Sequence, residues 1–395
     1  MRDRASSLPS ALAACLVLFL AAGVRAETLR IGLIRHFKAV AEVSISSTAD
    51  FRITDSSGSP VAAAPAGERI TLSAKDGAIT LTRADGTSST VGKEVEAAAS
   101  SPDALIILST PDCPSAQYRG RIAARAVERR ISLVNVVDVE DYLCGVVPSE
   151  MPSGFKLEAL KAQAVAARTY ACANRGRHAE QGYDLCDSTH CQVYLGAAGE
   201  RPSASQAVKE TAGLVAIYRG RLISAQYCSD CGGTTQAGGT EYLASVIDRP
   251  EEGGADYCEH DGHSWTKTWP IADLEKLLQK SFPRLRGLRS LLVMETDASG
   301  RAIQVKIEAD SGAETIMGSQ LRDLLGRTSI KSTAFVVKIE NGGVIFEGRG
   351  SGHGVGLCQF GANGLASPPH NCTFEQILKH YYRGVEVVPL SSLNH

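Results

Sequence analysis

The stretch from Leu157 to Ala173 limits the fold more than any other part of the chain. It is rich in Ala, Leu, Lys and Gln, residues that lose little on entering a helix. Leu157, Leu160, Ala164, Ala167 and Ala171 recur at three- and four-residue steps, which predicts one apolar stripe. Most of that stripe is alanine, so a neighbouring element must approach closely to bury it. Lys161 and Arg168 lie seven residues apart and share one side of the helix. Just upstream, Pro148 and Pro152 each restrict the preceding residue away from helix, so Glu150 is expected on a stiff loop.

The rest of the chain reads mainly as strand. Residues 27–114 alternate short β runs with breaks at Asp55–Gly58, Asp76-Gly77 and Asp85-Gly86, and carry no chemical motif; a β-rich accessory region is expected there. Ile131–Val139 is a strong β run. Tyr218-Arg219-Gly220-Arg221 and Asn341-Gly342 mark hairpins. Shorter helices are expected at about 271–280 and 373–382, the latter with Phe374, Ile377, Leu378 and Tyr381 on one face. Strands and helices do not alternate regularly. The expected class is therefore α+β, with mixed sheets and a few helices around a substrate groove.

The N-terminus has the tripartite form of a secretory signal peptide. Arg2 and Arg4 precede an apolar run from Ala11 to Ala22, and Val24-Arg25-Ala26 offers a small-residue cleavage site. Residues 1–26 are read as that signal, with Leu12-Ala13-Ala14-Cys15 as a lipoprotein-like alternative. Ten cysteines follow it, and in an exported chain an even set is first a disulfide set. A formal net charge of −2 over 395 residues gives no global attraction for phosphate backbones, which argues against a nucleic-acid binder.

Five strings occur in order over about residues 115–388. They are Asp138–Leu143, Val147–Pro152, Glu158–Tyr170, Gly352–Ala362 and Ile377–Tyr382. Together they resemble the SpoIID/LytB family of peptidoglycan-active proteins, named for sporulation stage II protein D and an amidase enhancer. The resemblance implies a lytic transglycosylase acting on MurNAc–GlcNAc bonds of glycan strands, with Glu150 at the position of the catalytic acid. One carboxyl suffices for such chemistry: it protonates the glycosidic oxygen, then takes the proton of the sugar's own C6 hydroxyl. No second protein carboxylate is needed, unlike the usual hydrolases. Composition alone would make Glu150 a solvated loop acid.

The resemblance further assigns Arg168, Thr235, Tyr242, His353 and Gln359 to the substrate groove. The Arg168 guanidinium could hold a sugar carbonyl or a lactyl carboxylate in bidentate fashion, or, placed too near Glu150, lower that acid's pKa. Glu241 stands where the family has Pro before Tyr242, and Cys228 and Cys231 flank the family's Ser. This C-x-x-C is open to redox chemistry or to structural bridging with other cysteines, and the bridging reading is preferred. His353 lies in a run of alternating glycines that lacks the Lys-Ser/Thr pair of a phosphate loop; groove lining and a buried, hydrogen-bonded histidine are both open to it.

Some family members hold zinc near Cys186, His190 and Cys191. Zinc needs four ligands, so His178 or a partner subunit would supply the fourth, and a Cys186–Cys191 disulfide is the competing reading. The proposed chemistry requires no cofactor, so any zinc would be structural. The expected partners are peptidoglycan glycan strands and, in the alternative reading of a non-catalytic enhancer, a cell-wall amidase. The expected location is the periplasm or cell envelope.

Overall fold

The computed structural model describes residues 27–393, apart from Pro114 and Glu252. The expected signal peptide and its lipoprotein alternative at Cys15 lie outside the described residues. The fold is α+β. A seven-stranded sheet runs in the order Leu185–Cys186, Thr28–Gly32, Arg130–Asp138, Arg121–Val127, Glu94–Ala99, Phe51–Asp55, Pro60–Ala64. A six-stranded sheet is built around Glu42–Ser47 and Ile70–Lys75. Arg121–Val127 pairs antiparallel with Glu94–Ala99, so hydrogen bonding runs unbroken across residue 114. The β-rich N-terminal stretch and the helical part share one hydrophobic core. The expected hairpin at Asp85-Gly86 forms, and the break at Asp76-Gly77 proves to be a second one, with both glycines at positive φ.

Seven α-helices occur among the described residues: α1 Val139–Glu150, α2 Leu157–Ala173, α3 Pro202–Glu210, α4 Ile271–Gln279, α5 Gly318–Leu325, α6 Gln359–Ala366 and α7 Phe374–Tyr381. The predicted long helix matches α2 end to end, but it is covered all round rather than on one stripe. Twelve of its seventeen residues are buried, against α1, α3, α6, α7 and the strand Leu214–Tyr218. Thr169 fastens that strand: its hydroxyl accepts from the Ala216 N–H at 2.8 Å and donates to the Val165 carbonyl at 2.7 Å.

Glu150 does not sit on a loop. It is the last residue of α1, which carries Pro148 in its final turn. Asp138 caps the helix by accepting from the Glu140 N–H at 2.8 Å. Val139, Tyr142, Leu143, Val146 and Val147 are buried beneath it. That burial outweighs the single ladder bond Pro148 removes. The helix stops when Met151 turns extended and its N–H bonds Val147.

A second, separate core fills the stretch between Ser264 and Arg349. There α4 and α5 pack with two three-stranded sheets around Trp265, Leu278, Val305, Leu321 and Phe346. This lobe is an insertion: the chain leaves the main body after Cys258 and returns at Leu357–Cys358, which pairs in parallel with Tyr227–Cys228. At the crossing, Asp230 and Ser351 exchange backbone bonds of 3.0 and 2.8 Å.

Arg168 belongs to the fold. It is fully buried, and its guanidinium donates to both carboxylate oxygens of Glu140, at 2.8 and 2.6 Å, and to the Leu214 carbonyl at 3.0 Å. Glu140→Gln leaves this charge without a counterion. The expected cost is roughly 3 kcal/mol, at the low end for a broken buried pair because Glu140 is partly exposed. It is read as a lower urea midpoint at unchanged slope. Lys161, which bridges Glu158 and Glu210 at 2.8 Å each near the surface, should cost under about 1 kcal/mol as Lys161→Ala in the same assay.

Candidate functional site

A groove of about 660 Å³ lies between the main body and the inserted lobe. Glu150, Tyr170 and Tyr227 line one wall, Arg322, Asp323 and Arg327 of the lobe line the other, and His353 closes one side. The C-terminal end of α1 delivers Glu150 there. Its Oε1 accepts from the Val193 N–H at 2.6 Å, and Tyr227 donates a second hydrogen bond. The Tyr227 hydroxyl is held in turn by the Gln192 amide at 3.0 Å, and Gln192 accepts from Tyr142 at 3.2 Å.

Burial pushes the Glu150 carboxyl up from its ordinary value, against the two hydrogen bonds that favour its charged form. The carbonyl end of α1 acts in the same direction, because it disfavours negative charge. The arrangement provides a half-buried carboxyl, open to a groove, that keeps its proton to higher pH than a solvated glutamate.

Of the other residues expected in the groove, the structure brings only His353 to Glu150's cavity. The His353 Nδ1 accepts from the Val355 N–H at 3.0 Å, which fixes the ring. Partial desolvation between the walls, with Arg301, Arg322 and Arg327 nearby, pushes its pKa down and leaves it neutral at pH 7. Arg168 is occupied in the core, and its charge does not reach the groove. Thr235 is buried, with Oγ1 accepting from the Val246 N–H at 2.8 Å. Gln359 is buried at the start of α6 and faces Gln163. Tyr242 packs on Tyr218 and supports the wall indirectly, its hydroxyl accepting from the Ser224 N–H at 3.2 Å.

Sequence reasoning missed Tyr227, Gln192 and the three groove arginines Arg177, Arg322 and Arg327. Tyr227 stood beside the noticed C-x-x-C, which was its only signal. The arginines come from α5, the segment that follows it and a loop far away in the chain, and no spacing links them.

Cys186, His190 and Cys191 do converge, and His178 is the fourth member. The four ligand atoms lie within 4.8 Å of one another. His178 Nε2 is 3.3 Å from the Cys191 sulfur, and His190 Nδ1 is 3.5 and 3.9 Å from the sulfurs of Cys191 and Cys186. A nitrogen and a sulfur bound to one tetrahedral zinc stand about 3.6 Å apart, so the two-sulfur, two-nitrogen set fits that ion. The hydrogen bond from the Cys191 thiol pushes the Cys186 pKa down. His190 and Cys191 also line the groove, and Val193 lies two residues further on.

The family described as Stage II sporulation protein matches residues 127–218, and a domain of unknown function (DUF8618) matches residues 233–356. The chain is 33% identical over 281 residues to an uncharacterized protein of Brachyspira hyodysenteriae, covering 70% of this chain and 74% of that one. It is 30% identical over 275 residues to stage II sporulation protein D of Bacillus subtilis, covering 64% and 75%. It is also 30% identical over 287 residues to the amidase enhancer of Bacillus subtilis, spanning 61% of this chain but only 39% of the enhancer.

The raised pKa of Glu150 links stability to pH. The folded chain holds this proton more tightly than the unfolded chain, whose carboxyl titrates near the ordinary 4.5. The resulting stabilisation is complete below that value and is lost as pH rises through the folded pKa. Glu150→Gln, uncharged throughout, should therefore match the wild type in thermal unfolding near about pH 4 and exceed it at about pH 7.

Proposed function

Since the chain belongs to the SpoIID family, we propose that it is an exported lytic transglycosylase that cuts MurNAc–GlcNAc bonds in glycan strands, with Glu150 as acid and then base. The single observation that carries this reading is the half-buried carboxyl, its pKa raised by desolvation, that lines a groove of about 660 Å³. The Glu150 proton passes to the glycosidic oxygen as the C1–O bond breaks. The carboxylate then removes the proton of the C6 hydroxyl as O6 bonds to C1, leaving a 1,6-anhydro end and consuming no water. Val193 and Tyr227 hold the carboxyl in place for both transfers. Tyr170 and Tyr227 offer flat apolar faces for sugar rings. Arg177, Arg322 and Arg327 supply positive charge for a lactyl carboxylate. Denuded strands fit best, because only saccharide need enter.

A structural zinc of the kind that some family members hold would fit His178, Cys186, His190 and Cys191. Bound there, it would act as a clip with no part in proton transfer. The last of these ligands, Cys191, lies two residues before the Val193 N–H that touches Glu150, so their role is to steady that donor from one side.

The test is mass spectrometry of purified glycan strands. The wild type should release 1,6-anhydro-MurNAc ends, and Glu150→Gln should lower that rate by roughly 10²–10⁴-fold, the worth of general acid–base catalysis. Unchanged strands with wild type would end the reading. The amidase-enhancer relative favours a second reading, in which the groove grips glycan and stimulates a separate amidase. Full amidase stimulation by Glu150→Gln, with no anhydro product from either form, is the outcome that reading expects.

A further inference from the structure

Besides Cys186 and Cys191, eight cysteines lie downstream of the N-terminal segment, and three of these meet in one buried place. Cys231, Cys258 and Cys358 converge with Asp230, all four fully or almost fully buried, their ligand atoms within 4.8 Å of one another. The sulfurs of Cys231 and Cys258 are 3.6 Å apart. That is far beyond the ~2.05 Å of a disulfide. It matches the about 3.8 Å between two sulfurs that each stand 2.3 Å from one tetrahedral ion.

The surroundings are built for bound sulfur. The Cys358 sulfur accepts two backbone N–H groups, from Cys231 at 3.1 Å and Gly361 at 3.4 Å, and it caps the N-terminus of α6. Asp230 is held by the Gly232 N–H at 2.8 Å and by His263 Nδ1 at 3.0 Å, the kind of outer contact that orients a ligating carboxylate. His260 approaches the same carboxylate and stacks on Phe360 beside Cys358. Asp248 accepts from the Cys231 thiol at 3.2 Å, so a second buried carboxylate faces the cluster.

We propose that Cys231, Cys258, Cys358 and Asp230 form a second, sulfur-rich divalent-metal site of the zinc class, which clamps the inserted lobe to the main body. The four ligands come from the two crossings of that lobe: Asp230, Cys231 and Cys258 before it, Cys358 after it. Nothing in the site touches the groove's proton-transfer path, so the inference stands independently of the reading of Glu150. Its consequence for the groove is geometric. The ion ties together the segments that set where Arg322 and Arg327 stand opposite Glu150.

The experiment uses the full chain purified in zinc and freed of loose metal. Elemental analysis should give two equivalents per chain, one for each four-ligand cluster. Cys258→Ser should lose one equivalent and keep the other, and Cys186→Ser should do the reverse. A second readout needs no variant. Site-mapped alkylation of the wild type should label Cys231, Cys258 and Cys358 at least about tenfold faster once a chelator removes their ion, because metal-bound thiolates are held from reaction. A metal content unchanged by Cys258→Ser would overturn the proposal. So would labelling of these three residues that is indifferent to chelation, or peptide mapping that finds Cys231 and Cys258 oxidised to one another.

Discussion

A helix that buries nearly every side chain must be made of small ones, and that constraint organises the main body. Around α2 the alanines let α1, α3, α6, α7 and a strand come close on all sides. Such a helix has almost no polar contact of its own with water. Its two basic residues are therefore treated in opposite ways. Lys161 reaches the surface and two glutamates. Arg168 stays inside and is satisfied there by Glu140 and two backbone carbonyls. The pair ties α2 to α1, and α1 ends in Glu150. The position of the acid thus depends on an ion pair buried well behind it.

Local pattern was a good guide wherever one stretch of chain decides its own shape. The ends of α2, the glycine hairpins and the Thr373-capped α7 follow from propensity, φ preference and capping. Pattern was a poor guide where distant packing overrules local preference. Pro148 argued for a loop, but five buried apolar residues keep α1 helical through it. The same difference separates the site residues. Glu150, which lines the groove, was singled out because its motif is short and continuous. Arg168 stands in an equally clear motif, yet a motif reports that a residue is needed and not whether it faces ligand or core. The zinc-type quartet was three-quarters legible, since three members fall within six residues; His178 entered only as a named alternative for the fourth.

The acidity of Glu150 is a property of its neighbours. Desolvation raises the pKa while Val193 and Tyr227 restrain the rise. Gln192 and Tyr142, neither exposed to the groove, orient Tyr227 from behind. Val193 follows the cysteine–histidine quartet by two residues, so the donor that meets the carboxyl is placed next to that cluster. Rigid support of this kind suits the acid-then-base role proposed for it.

The inserted lobe has its own hydrophobic core and meets the main body through two adjacent crossings. One wall of the groove can therefore diverge while the other is conserved. Substitutions within the lobe can alter the width and charge of the cleft without disturbing the packing that sets the acid. In such an architecture, selectivity for the flanking parts of a ligand and the capacity for bond cleavage are separately inheritable traits.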